Sequence, residues 1–194
     1  MVTILCPGFH HPTLTTDFLN AIYPNWRSRE ELGRLFIYPI PDYLAYDAFK
    51  IIDFLQHSLG DLSSIIEIPV TFIGFSAGVV GAMGAAWLWQ QQGGHVQGLI
   101  ALDGWGMPIL GHFPVYRMSH DYFTHWSSAL LGNGIESFWA DPTVEHLELW
   151  RSPDTVKGWW LSSTPAGKYT ALPTTAKQVF IHWLTKMGEY SVDE

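Results

Sequence analysis

Along the chain, short all-apolar runs of strand length alternate with longer stretches that carry one apolar face. Val2–Cys6 is such a run, ended by Pro7-Gly8, and reads as a buried strand and a turn. Phe18, Leu19 and Ile22 then mark a helix that Thr15 or Thr16 would cap and that stops near Pro24. Leu35–Tyr38 predicts a second strand, closed by Pro39. Ala45, Phe49, Ile52, Leu55 and Leu59 outline the buried stripe of a helix ending at Gly60. Val70–Ile73 is the third strand, a helix follows Ser76 to about Gln92, and Val96–Leu102 is the fourth strand. Val115–Met118 and Glu136–Ala140 predict a fifth and a sixth, separated by a helix around Phe123–Leu131. Two further helical stretches, Asp154–Leu161 and Thr175–Met187, complete the pattern.

Repeated β-α alternation predicts a mostly parallel sheet, because each return to a parallel strand needs a crossover. Right-handed crossovers place helices on both faces of that sheet. The expectation is an α/β chain: a three-layer α/β/α sandwich around a mostly parallel sheet of about six strands. No internal repeat, low-complexity run or long linker interrupts it, so residues 1–194 read as one domain. Functional residues of such sheets gather at the carboxyl ends of the strands.

Composition narrows the function classes. Hydrophobic residues make up 47% of the 194 and charged ones 14%, which fits a globular chain with a substantial core. The net charge of −8, without Lys/Arg clusters, argues against a nucleic-acid partner. The lone Cys6 rules out an internal disulfide, and no basic-then-apolar leader opens the chain; both point to a cytoplasmic location. Ile68–Leu102 contains no Asp, Glu, Lys or Arg, yet Pro69, Gly74, Gly78 and Gly81 interrupt it and a polar Gln90–Gly94 stretch stops it. A central strand and a tightly packed helix explain this segment, so no integral membrane contact is expected. Ten tryptophans imply either a thick aromatic core or an aromatic-lined pocket, and the sequence does not choose.

Chemistry concentrates at Gly74-Phe75-Ser76-Ala77-Gly78. A buried strand runs into a turn too tight for side chains at either glycine, and a helix rich in Gly and Ala follows. This is the local pattern of a nucleophile elbow, which exposes a serine Oγ and aims helix N–H groups at a developing oxyanion. A serine needs a base, and the base an orienting acid. His146 follows the sixth strand and Asp121 the fifth, so Ser76, Asp121 and His146 each stand after a successive strand. Asp103, at the end of the fourth strand, is the alternative acid; Asp121 ranks ahead of it. Metal and cofactor motifs are missing: there is no H-E-x-x-H, no phosphate loop and no dinucleotide fingerprint, and His120 and His125 are out of phase on a helix.

With Pro7-Gly8-Phe9-His10-His11 after the first strand, the elbow at Ser76, His120-Asp121 and Glu145-His146-Leu147, the chain resembles the α/β-hydrolase superfamily over most of its length. The resemblance implies Ser76 as nucleophile, His146 as general base and acid, and Asp121 as its orienting carboxylate. It also implies an oxyanion hole from the backbone N–H of Ala77 and one from Phe9 or His10. The first loop departs from the family's usual His-Gly, and Gly104–Pro114 leaves no room for a large cap domain. The expected activity is a cofactor-free serine hydrolase cleaving an ester or thioester. Trp105, Phe113, Trp126 and Trp139 suggest a substrate with an apolar acyl or aromatic group. The contrasting expectation is a hydrolase-like scaffold without catalysis, serving as a binding or assembly module.

Overall fold

In the computed structural model, which describes residues 1–23, 25–40, 44–60, 66–163 and 169–188, the apolar runs form the middle of one sheet. β1 (Val2–Cys6) and β3 (Val70–Phe75) are buried at every position, and β4 (Val96–Leu102) at all but one. Strands covered on both faces have no polar side to show, which is why they read as continuous runs. The other strands are β2 (Leu35–Ile37), β5 (Val115–Ser119), β6 (Glu136–Ala140), β7 (Lys157–Ser163) and β8 (Tyr169–Thr175). The order is β2-β1-β3-β4-β5-β6-β7-β8; pairs from β2 to β6 are parallel, and β6-β7 and β7-β8 antiparallel. The chain reverses its direction of progress at β1, between β2 and β3. Parallel sheets open a crevice at the carboxyl ends of strands at such a point.

The described helices are α1 (Pro12–Ile22), α2 (Trp26–Glu31), α3 (Ala48–Leu59), α4 (Ala77–Gln91), α5 (Tyr122–Ala129), α6 (Glu148–Arg151) and α7 (Ala176–Lys186). Successive strand residues point to opposite faces, and the core divides accordingly. Leu5 and Ile73 join Phe18 of α1, Trp150 of α6 and Phe180 and Trp183 of α7. Ile4 and Phe72 join Ile51 and Leu55 of α3 and Val79, Met83 and Trp89 of α4. None of the described helices is long and apolar enough to cross a membrane.

α4 lies close on the sheet because its first turns carry almost no side chain. A Cβ on Gly78 would stand 2.1 Å from the Cys6 carbonyl oxygen and 2.6 Å from that of Pro7; one on Gly81 would meet the Ala45 oxygen at 2.2 Å. These contacts hold the start of α4 against the end of β1, where the candidate chemistry sits.

Tryptophan serves both purposes that the sequence left open. Trp89, Trp150 and Trp183 are fully buried, whereas Trp105 and Trp126 are exposed. Buried Glu136 of β6 accepts hydrogen bonds from Trp160 Nε1 at 2.9 Å and Trp183 Nε1 at 2.8 Å, and pairs with Lys186. That carboxylate ties α7 and β7 to the sheet.

The sheet has eight strands rather than six, and the segment expected as a helix over 154–161 contributes β7 instead. Trp159-Trp160-Leu161 has the aromatic, β-prone character of a strand. β8 carries Pro173, which an edge strand tolerates because one side of it makes no ladder bonds. α1 starts at Pro12, earlier than expected, with His11 as its N-cap. In α3 the buried positions are Ile51, Ile52 and Leu55, while Phe49 is exposed. The expected stop at Pro24 lies outside the described residues, one position beyond Tyr23, which caps α1.

Candidate active site

Ser76 occupies the turn between β3 and α4 with φ 54°, a left-handed conformation that a non-glycine residue adopts only at a cost. Its neighbours enforce the turn. The Ser76 N–H donates to Leu102 O at 2.9 Å, the Ser76 carbonyl accepts from Val79 N at 3.0 Å, and a Cβ on Gly74 would collide with the Val79 backbone at 2.7 Å. Ser76 is the N-cap of α4, yet its side chain makes no capping bond. Asp47, Asp121 and Thr175, N-caps of α3, α5 and α7, all do cap. A hydroxyl at the start of a helix normally accepts from the first turn. Here the Oγ stands off, and the first-turn N–H groups keep their partial positive charge.

The first loop lies directly against this turn, since a Cβ on Gly8 would stand 2.9 Å from Phe75 O and 3.0 Å from Ser76 Cβ. The His10 N–H is donated to Gly8 O at 3.0 Å. Of the two expected N–H groups from this loop, that of His10 is thus already used, which leaves Phe9; Ala77 stands at the first position of α4. His10 faces inward, edge-on to Phe75 with ring centroids 5.6 Å apart. Burial holds its pKa below the usual histidine value, against the bond it makes to His11 O.

Asp103, the residue after β4, is with Ser76 one of two non-glycine residues with positive φ among the described residues, at 52°. Its side chain is 2% exposed and meets His146: Nδ1 of the ring lies 2.8 Å from Oδ2. The other oxygen accepts the His120 N–H at 2.9 Å, and the His120 ring brings its Nδ1 within 3.0 Å of Oδ2. Burial alone would raise the Asp103 pKa, but the hydrogen bonds from His120 and His146 outweigh it and hold the carboxyl below its usual range. The His120 pKa is raised, first by its contact with Asp103.

The carboxylate that His146 meets is thus Asp103, and the expectation for Asp121 is corrected. Asp121 accepts from Thr124 N at 2.6 Å and caps α5, while its other oxygen lies 3.6 Å from His120 Nε2. Both aspartates follow a strand, so position along the chain could not separate them. The positive φ turns Asp103 into the site, whereas the extended Asp121 (φ −155°) starts a helix.

His146 is held from below by a run of rings. It stacks on Phe75 at 4.8 Å and 18°, Phe75 on Trp150 at 4.8 Å and 17°, and Trp150 on Phe18 at 3.8 Å and 5°. The residue before Ser76 is therefore the floor under His146. His146 itself sits in the turn ahead of α6, whose Trp150 is fully buried.

Ser76, Ala77, Asp103, His120 and His146 line one open cleft of about 380 Å³, with Val80, Trp105 and Phe123 as apolar walls. Among the other expected pocket aromatics, Phe113 is buried in the core on the α3/α4 face and Trp139 packs against His125. One donor atom each from Asp103, His120 and His146 lies within 4.8 Å of the others. The two imidazole nitrogens concerned already face the carboxylate, so an ion held at ~2.1 Å would have to displace those contacts. The Ser76 hydroxyl, the His146 imidazole bonded to the buried Asp103 carboxylate, and Ala77 at the start of α4 share this cleft. The sequence reading did not anticipate His120 as a second partner of Asp103; the adjacent His120-Asp121 pair after β5 was its visible signal.

No protein-family model matches the chain, and a search of curated proteins finds no recognisable relative.

Proposed function

We propose that this chain is a serine hydrolase of the α/β-hydrolase type that cleaves a carboxylic ester or thioester through an acyl-enzyme on Ser76. The observation that carries the proposal is the 2.8 Å contact between His146 Nδ1 and the buried Asp103, in a cleft that also holds Ser76 on its strained turn. The Asp103 bond keeps the His146 proton on Nδ1 and leaves Nε2 to take the proton of Ser76 Oγ. Ser76 Oγ then attacks the acyl carbon, and the Ala77 and Phe9 N–H groups receive the oxyanion. His146 returns the proton to the leaving alkoxide or thiolate, and water, activated by the same imidazole, releases the acid. The helices on both faces of the parallel sheet support the three-layer reading of the fold. Val80, Trp105 and Phe123 favour an apolar acyl or aromatic group.

The test is hydrolysis of p-nitrophenyl esters and acyl thioesters of increasing chain length, with Ser76→Ala as control. Turnover that disappears in the variant supports the proposal. A folded protein that turns over none of them favours the binding-module reading.

A further inference from the structure

Arg117 stands in the middle of β5, on the face away from Tyr116 and Met118, and is 4% exposed. A guanidinium cannot shed its charge, so burying one without a counter-ion is costly. No carboxylate among the described residues pairs with it. Its one hydrogen bond runs from Nη2 to the Met107 carbonyl oxygen at 2.9 Å, and Nε is buried without an acceptor. The same residue lines a cavity of about 250 Å³ beneath α5, together with His125, Ser137, Ile135, Leu161 and Tyr169. This cavity shares no lining residue with the Ser76 cleft: α5 gives Phe123 and Thr124 to one and His125 and Ala129 to the other. Through the ladder Arg117 aligns with Ala101 and then Gly74, two strands and about 10 Å from β3.

We propose that this cavity is a second binding site, separate from the Ser76 cleft, for a small monocarboxylate with a short apolar body, whose carboxylate pairs with Arg117. The planar guanidinium with unfilled N–H groups matches a carboxylate edge-on. Ile135, Leu161 and Tyr169 provide apolar surface for the rest of the molecule. No Lys or second Arg lines the cavity; Glu136 also borders it, but its carboxylate is taken up by Trp160, Trp183 and Lys186, and burial holds His125 below its ordinary pKa. One guanidinium balances one negative charge; a phosphate dianion would remain undercompensated.

Calorimetric titration of the full chain with sodium hexanoate and sodium benzoate tests this, with hexan-1-ol and inorganic phosphate as controls. Saturable 1:1 binding of a carboxylate is expected, weakened about tenfold or more by Arg117→Met and unchanged by Ser76→Ala. Arg117→Met should fold at least as stably as the parent without ligand, because it removes an unpaired buried charge. Ala129→Phe, which fills the cavity from α5 and leaves Arg117 in place, should abolish binding as well. Equal binding of hexan-1-ol, preference for phosphate, no saturable binding, or binding that survives either cavity variant would overturn the proposal. Since Ser76→Ala keeps this site, its failure and that of the hydrolase reading are separable.

Discussion

Replacing Asp103 with Asn separates the two aspartates most sharply. In the proposed mechanism His146 takes the serine proton and becomes an imidazolium facing the Asp103 carboxylate, with Nδ1 and Oδ2 2.8 Å apart. Unit charges centred about 4 Å apart interact by about 4 kcal/mol at an effective dielectric of ~20. The His146 side chain is 40% exposed, so solvent screens part of this. About 2–3 kcal/mol remains, or roughly 30- to 150-fold in rate. A second effect adds to it. With its oxygen still on the His120 N–H, the Asn amide turns its NH₂ toward Nδ1 and drives the imidazole proton to Nε2, where it blocks transfer from Ser76. Together these predict a fall in kcat of about 10³-fold or more. Asp121→Ala is the control: losing the cap on Thr124 N costs about 1 kcal/mol of stability and leaves kcat near the parent value. The assay is kcat on the best ester of the panel, alongside urea unfolding. Full activity in Asp103→Asn, with loss in Asp121→Asn, would refute the reasoning.

Two further predictions follow from the packing and charge of the site. Gly78→Ala puts a Cβ 2.1 Å from Cys6 O, a backbone atom that cannot turn aside, so urea unfolding should show a loss of about 2–3 kcal/mol and esterase activity should drop with it. The raised pKa of His120, set by Asp103 and supported by Asp121 and Glu145, gives stability that is fully present below the unfolded value of about 6.5 and is lost as pH rises through the folded value. The stability gap between the parent and His120→Gln, from urea unfolding, should therefore shrink as pH rises from 6.5; a gap that is flat or widens contradicts the charge pairing.

The parts of the fold governed by burial were legible from residue pattern. β1, β3, β4, β5 and β6 lie within two residues of where the apolar runs put them, since a strand covered on both faces has little alternative. The β7–β8 hairpin was not legible as such. Half of it is exposed edge, and Trp159-Trp160-Leu161 satisfies a helical as well as a β pattern over so short a stretch. At the candidate site, the tight turn at Ser76 was legible because glycine spacing reports a steric requirement. The choice between Asp103 and Asp121 turned on a backbone dihedral after the strand, which residue type does not encode. Arg117 left a trace that went unread: an arginine inside the otherwise apolar Val115–Met118 run must either find an anion or line a cavity.

The most direct test of the central claim is labelling with a fluorophosphonate, read by intact mass and by the modified peptide. One adduct is expected, on Ser76, absent in Ser76→Ala and strongly slowed in His146→Ala. A folded protein that resists the probe, or carries it on another residue, would contradict it.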